Sequence, residues 1–129
     1  MNLRSPLGRV LGLGSAKDGA ARWSAERASS VALVPLTLWL LVALLRLPSL
    51  DYATLRAFVA APVHGLLLVL LIAVSAHHSD LGTTVIVEDY VHEKGWKLLL
   101  LLALRFAYVL IAGAAILAVL RIDLGSAMP

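Results

Sequence analysis

Residues 98–120 read LLLLLALRFAYVLIAGAAILAVL, an apolar run held between Lys97 and Arg121 with a single base, Arg105, inside it. At 1.5 Å per residue such a run is about 34 Å long, enough to cross the hydrocarbon core of a bilayer with some tilt. Two more apolar runs precede it. Residues 29–45, SSVALVPLTLWLLVALL, end at Arg46 and Pro48. Pro35 inside this run is tolerated in lipid where a neighbouring helix, a hydroxyl or a local kink satisfies the freed carbonyl. The third run covers residues 58–78, apolar as far as Ala76, with Pro62 in its first turns where a missing N–H costs little. The expectation is an all-α membrane protein with three transmembrane helices, at about 28–45, 58–78 and 98–120.

Composition agrees with that pattern. Of 129 residues, 60% are hydrophobic and 15% charged, with a mean hydropathy of +0.90; a soluble domain is nearer about half apolar and a quarter charged. Three spans of about 20 residues take roughly half the chain, so residues 1–129 read as one membrane-anchor domain and a self-contained soluble enzyme is excluded. Cysteine is absent. The chain therefore has no disulfide, thiolate nucleophile, cysteine zinc site or iron–sulfur cluster of its own, and redox chemistry would need a haem, a quinone or a partner.

The formal charge of +3 reads as membrane topology, with no nucleic-acid partner expected. Residues 1–27 carry Arg4, Arg9, Lys17, Arg22 and Arg27 among Gly8, Gly12, Gly14 and Gly19. No apolar run of signal-peptide length follows the first bases, so this segment is expected to stay on the protein. Asp18 and Glu26 break the acid-free character of an organelle transit peptide, which makes a bacterial inner membrane the simpler address. With three spans, these five bases share a side with Lys94 and Lys97, seven in all, against Arg46, Arg56 and Arg121 opposite. Cytoplasmic flanks hold the excess of bases. That predicts a cytoplasmic N-terminus, a periplasmic C-terminus and a cytoplasmic loop over Asp80–Lys97.

Histidine in or beside an apolar span needs a partner for at least one ring nitrogen. His77 and His78 are adjacent and must point to different faces, while His64 lies about 21 Å from His78 along a helix. One of the pair could ligate a b-type haem iron, with the second ligand borrowed from another chain; either could equally be an interface residue. Gly82, four residues after His78, leaves room on the same face for a flat macrocycle or a close helix. Further on, VIVEDYVH at residues 85–92 encloses two carboxylates, a phenol and an imidazole. Tyr90, with Trp96, fits an aromatic belt, and a phenol in the same place could donate to a quinone carbonyl, with Asp89 orienting a base or assisting proton delivery. Arg27 could hold a carboxylate or phosphate bidentately, or serve only as a positive-inside residue. Arg105 is expected to snorkel toward the cytoplasmic face rather than enter a buried pair. Ala103, Ala107, Ala114 and Ala118, with Gly113, form a small-residue stripe suited to a partner helix.

These residues together resemble the hydrophobic membrane anchor subunits of succinate dehydrogenase (respiratory complex II), the three-helix type that pairs with a cytochrome b556 subunit. The resemblance rests on His78-x-x-x-Gly82 followed by Glu88-Asp89-Tyr90-Val91-His92, and on SPLGRVLGLGSAKDG ahead of Arg27 and VALVPLTLW. It extends from about Arg4 to Arg121. It implies that His78 is one axial ligand of a haem b whose other ligand comes from the partner anchor. It further implies that Tyr90 donates to ubiquinone with Asp89 in support, and that Arg27 lies near a haem propionate. The implied partners are the cytochrome b556 anchor, the iron–sulfur subunit, the flavoprotein subunit and membrane lipid. The chain itself would catalyse nothing within the succinate:ubiquinone oxidoreductase.

Two departures stand out. Ala20-Ala21-Arg22-Trp23 lacks a histidine many members carry there, and Asp80 occupies a usually apolar position about 200° round the helix from His78, where headgroups or a partner are expected to meet it. His64 inherits no role. The rival readings are a haem-b anchor of another quinone-linked dehydrogenase, such as fumarate reductase, and a cofactor-free membrane scaffold.

Overall fold

The computed structural model describes residues 16–127, all helix and connections with no strand among them. Arg4, Arg9 and residues 5–15 of the N-terminal block lie outside the described residues. The order is α1 (Ala16–Leu45), α2 (Tyr52–Ala60), α3 (Pro62–Tyr90) and α4 (Lys94–Ala127). Three helices are long and apolar enough to cross a membrane, over Gly19–Leu45, Pro62–Tyr90 and Lys94–Gly125.

α1 starts well ahead of its apolar run because residues 16–28 are mostly alanine and straight-chain charged residues, which are good helix formers. Serine would ordinarily compete with the helix, but the hydroxyls of Ser24, Ser29 and Ser30 donate back to carbonyls of the preceding turn. Pro35 is carried inside without ending the helix. The helix stops at Leu45, where Arg46 and Leu47 close the last turn onto Val42, Ala43 and Leu44 ahead of Pro48.

The region expected to form one span from residue 58 is instead a corner. Pro62 keeps its predecessor out of the helical region; Ala61 is extended, at φ −76° and ψ 123°, and it separates α2 from α3. Phe58 therefore belongs to α2. Asp51 caps α2 by accepting the Thr54 backbone N–H at 2.8 Å. The Ser49 hydroxyl first, then the Thr54 amide, hold its carboxyl below the ordinary value.

α3 continues to Tyr90, so the expected loop over Asp80–Lys97 shrinks to residues 91–93. Thr83 and Thr84 keep that stretch helical by donating to the carbonyls of Ser79 and Asp80. Glu93 opens α4, accepting the backbone N–H groups of Trp96 and Gly95. Those two amides, Trp96 first, lower its pKa.

α3 packs against α1 on one side and α4 on the other, with α2 across one end against α3 and α4. The paired residues run in opposite order along these helices, so α1 and α4 each lie antiparallel to α3. The result is a flat layer with almost no core. Among the described residues the buried hydrophobic side chains are Phe58 and Val87, while some two dozen large apolar side chains lie exposed. An apolar surface of that extent needs lipid or a partner to cover it. The Ala103, Ala107, Ala114 and Ala118 stripe is among the uncovered surface, and a Cβ placed at Gly113 would meet nothing within 4 Å.

Candidate functional site

His78 lies in the middle of α3 and is half-buried. Its Nδ1 is 3.0 Å from Oγ of Ser29 on α1. Ser29 is only 6% exposed, and its hydroxyl donates to the Glu26 carbonyl at 2.9 Å. His77 points elsewhere, lining a cavity of about 470 Å³ between α3 and α4 together with Asp80, Arg105 and Tyr108. The adjacent histidines thus serve different neighbours of α3, His78 toward α1 and His77 toward α4, as a 100° step per residue allows.

Asp80 and Arg105 correct the sequence reading. Nη2 of Arg105 meets Oδ2 of Asp80 at 3.3 Å, with the arginine side chain 67% exposed and the aspartate 20%. Arg105 reaches across to α3 instead of snorkelling, because the carboxylate lies at its own depth and a charge in hydrocarbon gains more from a partner than from a long reach to water.

Toward the end where α1 begins, Glu88 ties three helices together. Its carboxylate takes Nη1 of Arg22 on α1 at 2.6 Å, and its backbone carbonyl accepts Nζ of Lys97 on α4 at 3.0 Å. Beyond it, Asp89 and Tyr90 finish α3; Tyr90 is 79% exposed. The Arg27 guanidinium lies over the Trp23 ring, 5.5 Å from its centroid. Tyr90 is about 18 Å from His78 along α3 and about 120° round it, so the two belong to separate regions of one helix. Neither Arg27, Asp89 nor Tyr90 hydrogen-bonds His78.

His64 has a local structural role at the opposite end. Its Nδ1 lies 3.1 Å from the Phe58 carbonyl, which accepts the ring N–H at the close of α2. The ring lies tilted against Phe58, with centroids 4.2 Å apart, and against Trp39, with centroids 5.8 Å apart. Leu38, Val42 and Arg46 join these aromatics around a cavity of about 520 Å³.

Among the described residues, no three His, Cys, Asp or Glu side chains gather as a metal-ion site would require. Like His64 at the far end, His78 offers an imidazole already bonded through Nδ1, with Nε2 left over. One turn on, a Cβ at Gly82 would meet nothing within 4 Å, so none of the described residues fills that gap. A single anchored imidazole beside open space fits an axial ligand to a flat macrocycle completed by a second chain.

Sequence reasoning missed the contacts of Ser29 and Glu88. Ser29 looks like a tolerated serine at the edge of an apolar run, and its partner is 49 positions away. The Arg22–Glu88 pair spans 66. No local pattern carries either signal.

The family model described as succinate dehydrogenase/fumarate reductase transmembrane subunit matches residues 1–112. The succinate dehydrogenase hydrophobic membrane anchor subunit of Paracoccus denitrificans is 30% identical over 126 residues, 98% of this chain and 97% of that protein. Its counterpart in Rickettsia bellii (strain RML369-C) is 28% identical over 118 residues, covering 92% and 94%. The protein of that name in Rickettsia typhi (strain ATCC VR-144 / Wilmington) is 26% identical over 105 residues, covering 81% and 84%. No solved structure matches the chain significantly.

Proposed function

The chain belongs to the succinate dehydrogenase/fumarate reductase transmembrane subunit family, and from that premise we propose that it is a non-catalytic membrane anchor of a succinate:ubiquinone oxidoreductase. The three relatives, all named for succinate dehydrogenase, favour this over fumarate reductase. In a bacterial inner membrane it pairs with a cytochrome b556 anchor and docks the iron–sulfur and flavoprotein subunits at the cytoplasmic face, the end carrying Arg22, Glu88 and Tyr90.

The observation that carries this reading is the coreless helix layer. A surface exposing Leu98, Leu99, Phe106, Val109, Leu110 and Ile111 belongs to a chain that completes its packing with lipid and another subunit. The anchored His78 and the open space at Gly82 support haem b binding, with His78 as the residue of this chain that would hold the iron. The haem would give the site a one-electron store. Arg27 is the candidate for a propionate: its guanidinium is exposed and steadied by Trp23, and it can hold a carboxylate bidentately.

Tyr90 is the proposed donor to a ubiquinone carbonyl. Its phenol is neutral and exposed at the membrane edge, so it can hydrogen-bond a neutral carbonyl without bringing a charge into lipid. Reduction of ubiquinone to ubiquinol takes two electrons from the partner subunits and two protons, and Asp89 beside Tyr90 is the supporting carboxylate on the aqueous side. Succinate is oxidised elsewhere in the complex.

The test is gentle detergent purification of the tagged chain from its native membrane, with protein identification and a reduced-minus-oxidised haem spectrum. A flavoprotein, an iron–sulfur protein, a second small anchor and a b-type spectrum are expected. Recovery of none of the three subunits overturns the assignment.

A further inference from the structure

We infer that Ser29 is a positioning residue for His78: its hydroxyl accepts the Nδ1 proton, which turns Nε2 toward ligation and makes that nitrogen a stronger donor. This rests on the reading of His78 as an axial ligand.

A metal-bound neutral imidazole carries its one proton on the other ring nitrogen, and which nitrogen that is follows from the hydrogen bond the second one makes. Here Nδ1 is 3.0 Å from Ser29 Oγ. The serine has a single hydrogen, and the Glu26 carbonyl takes it at 2.9 Å. Its lone pairs are what remain for His78. The direction of the chain is therefore Nδ1–H to Ser29 Oγ, and Ser29 Oγ–H to the backbone of α1. At 6% exposure Ser29 is the most buried polar residue described, so water offers a poor substitute and a lost acceptor would leave the ring N–H unpaired.

Two consequences follow from the bond joining separate helices. It fixes the rotation of the ring, since an imidazole anchored at Nδ1 cannot swing Nε2 freely. It also links the electronic character of the ligand to the α1–α3 contact, because an acceptor on Nδ1–H raises the basicity of Nε2 and favours ferric over ferrous iron. Ser30 provides an internal control. It points about 100° away round α1, and its hydroxyl donates to Glu26 on its own helix at 2.9 Å.

The experiment uses the intact complex carrying S29A, S29T, S29V, S30A or H78A. Haem midpoint potential is read by redox titration and haem retention by pyridine haemochrome, with dye-linked succinate oxidation reporting assembly. S29A and S29V should raise the midpoint potential and weaken haem affinity about tenfold or more. S29T should restore both, and S30A should match the parent. Threonine and valine are nearly the same size, so the S29T against S29V comparison isolates the hydroxyl from packing. Parental potential and haem retention in S29A and S29V, with the haem signal lost in H78A, would overturn the role of Ser29 and leave the ligand in place. An unchanged haem signal in H78A would overturn both.

Discussion

The guanidinium of Arg105 on α4 meets the carboxylate of Asp80 on α3 at 3.3 Å, inside two helices long and apolar enough to cross a membrane. Either charge alone would be costly there, and the pair fixes the register of α3 against α4. Arg105→Leu should therefore lower the stability of the complex by about 1–3 kcal/mol by stranding Asp80. The double variant D80L/R105L should recover most of that loss. Thermal or denaturant unfolding of the purified complex measures it; equal losses in the single and double variants would mean the pair is incidental.

Gly82 and Gly65 should respond oppositely to added bulk. A Cβ at Gly82 would meet nothing within 4 Å among the described residues, whereas one at Gly65 would come within 3.3 Å of the Val59 backbone oxygen and 3.4 Å of Asp123 Cγ. Gly65→Val should cost about 1–3 kcal/mol through overpacking at the α2–α3 corner. Gly82→Leu should leave assembly intact and empty the complex of haem, as read from the absorption spectrum. Full haem content in Gly82→Leu would argue against a macrocycle beside His78.

Tyr90→Phe keeps the ring and removes the donor. Ubiquinone reductase activity should fall about two- to tenfold, the worth of one neutral hydrogen bond, while succinate oxidation by an artificial dye persists. Parallel loss of the two activities would place the defect in assembly and contradict the quinone role.

Two helix caps should loosen in acid. The carboxyl of Asp51 titrates below its ordinary value because it accepts the Ser49 hydroxyl first and then the Thr54 amide, and that of Glu93 because it accepts the Trp96 and Gly95 amides. A depressed carboxyl contributes stability that is present above its unfolded pKa and disappears as pH falls through the folded one. Hydrogen exchange at the Thr54 and Trp96 amides should accordingly accelerate below the ordinary carboxylate range. Asp51→Ala should make Thr54 exchange fast at every pH; a pH-independent Thr54 in the parent would remove the cap from consideration.

Orientation can be read from the termini. The lysine and arginine distribution predicts a cytoplasmic N-terminus and a periplasmic C-terminus. A C-terminal cysteine tag should react with a membrane-impermeant reagent in intact cells, and labelling only after lysis would reverse the topology.

The sequence by itself determined that this chain is helical and lies in a membrane, because hydrophobic length and the burial cost of the peptide backbone admit few other solutions. It also supplied the family resemblance, through short motifs whose spacing is a property of the chain. Pairings between helices were another matter. The unusual charges Asp80 and Arg105 were visible as residues, yet only the packing of α4 on α3 joined them. Pro62 was visible too, but an N-terminal helix position and a corner share that residue, and the extended Ala61 separated α2 from α3. Likewise Ser29 and His78 lie on different helices, and their hydrogen bond depends on the rotation of each helix about its axis. Apolar periodicity fixes that rotation poorly in helices that are apolar nearly all round. Tertiary contact decided it, because a buried polar group in such a helix turns toward whatever partner the neighbouring helix provides.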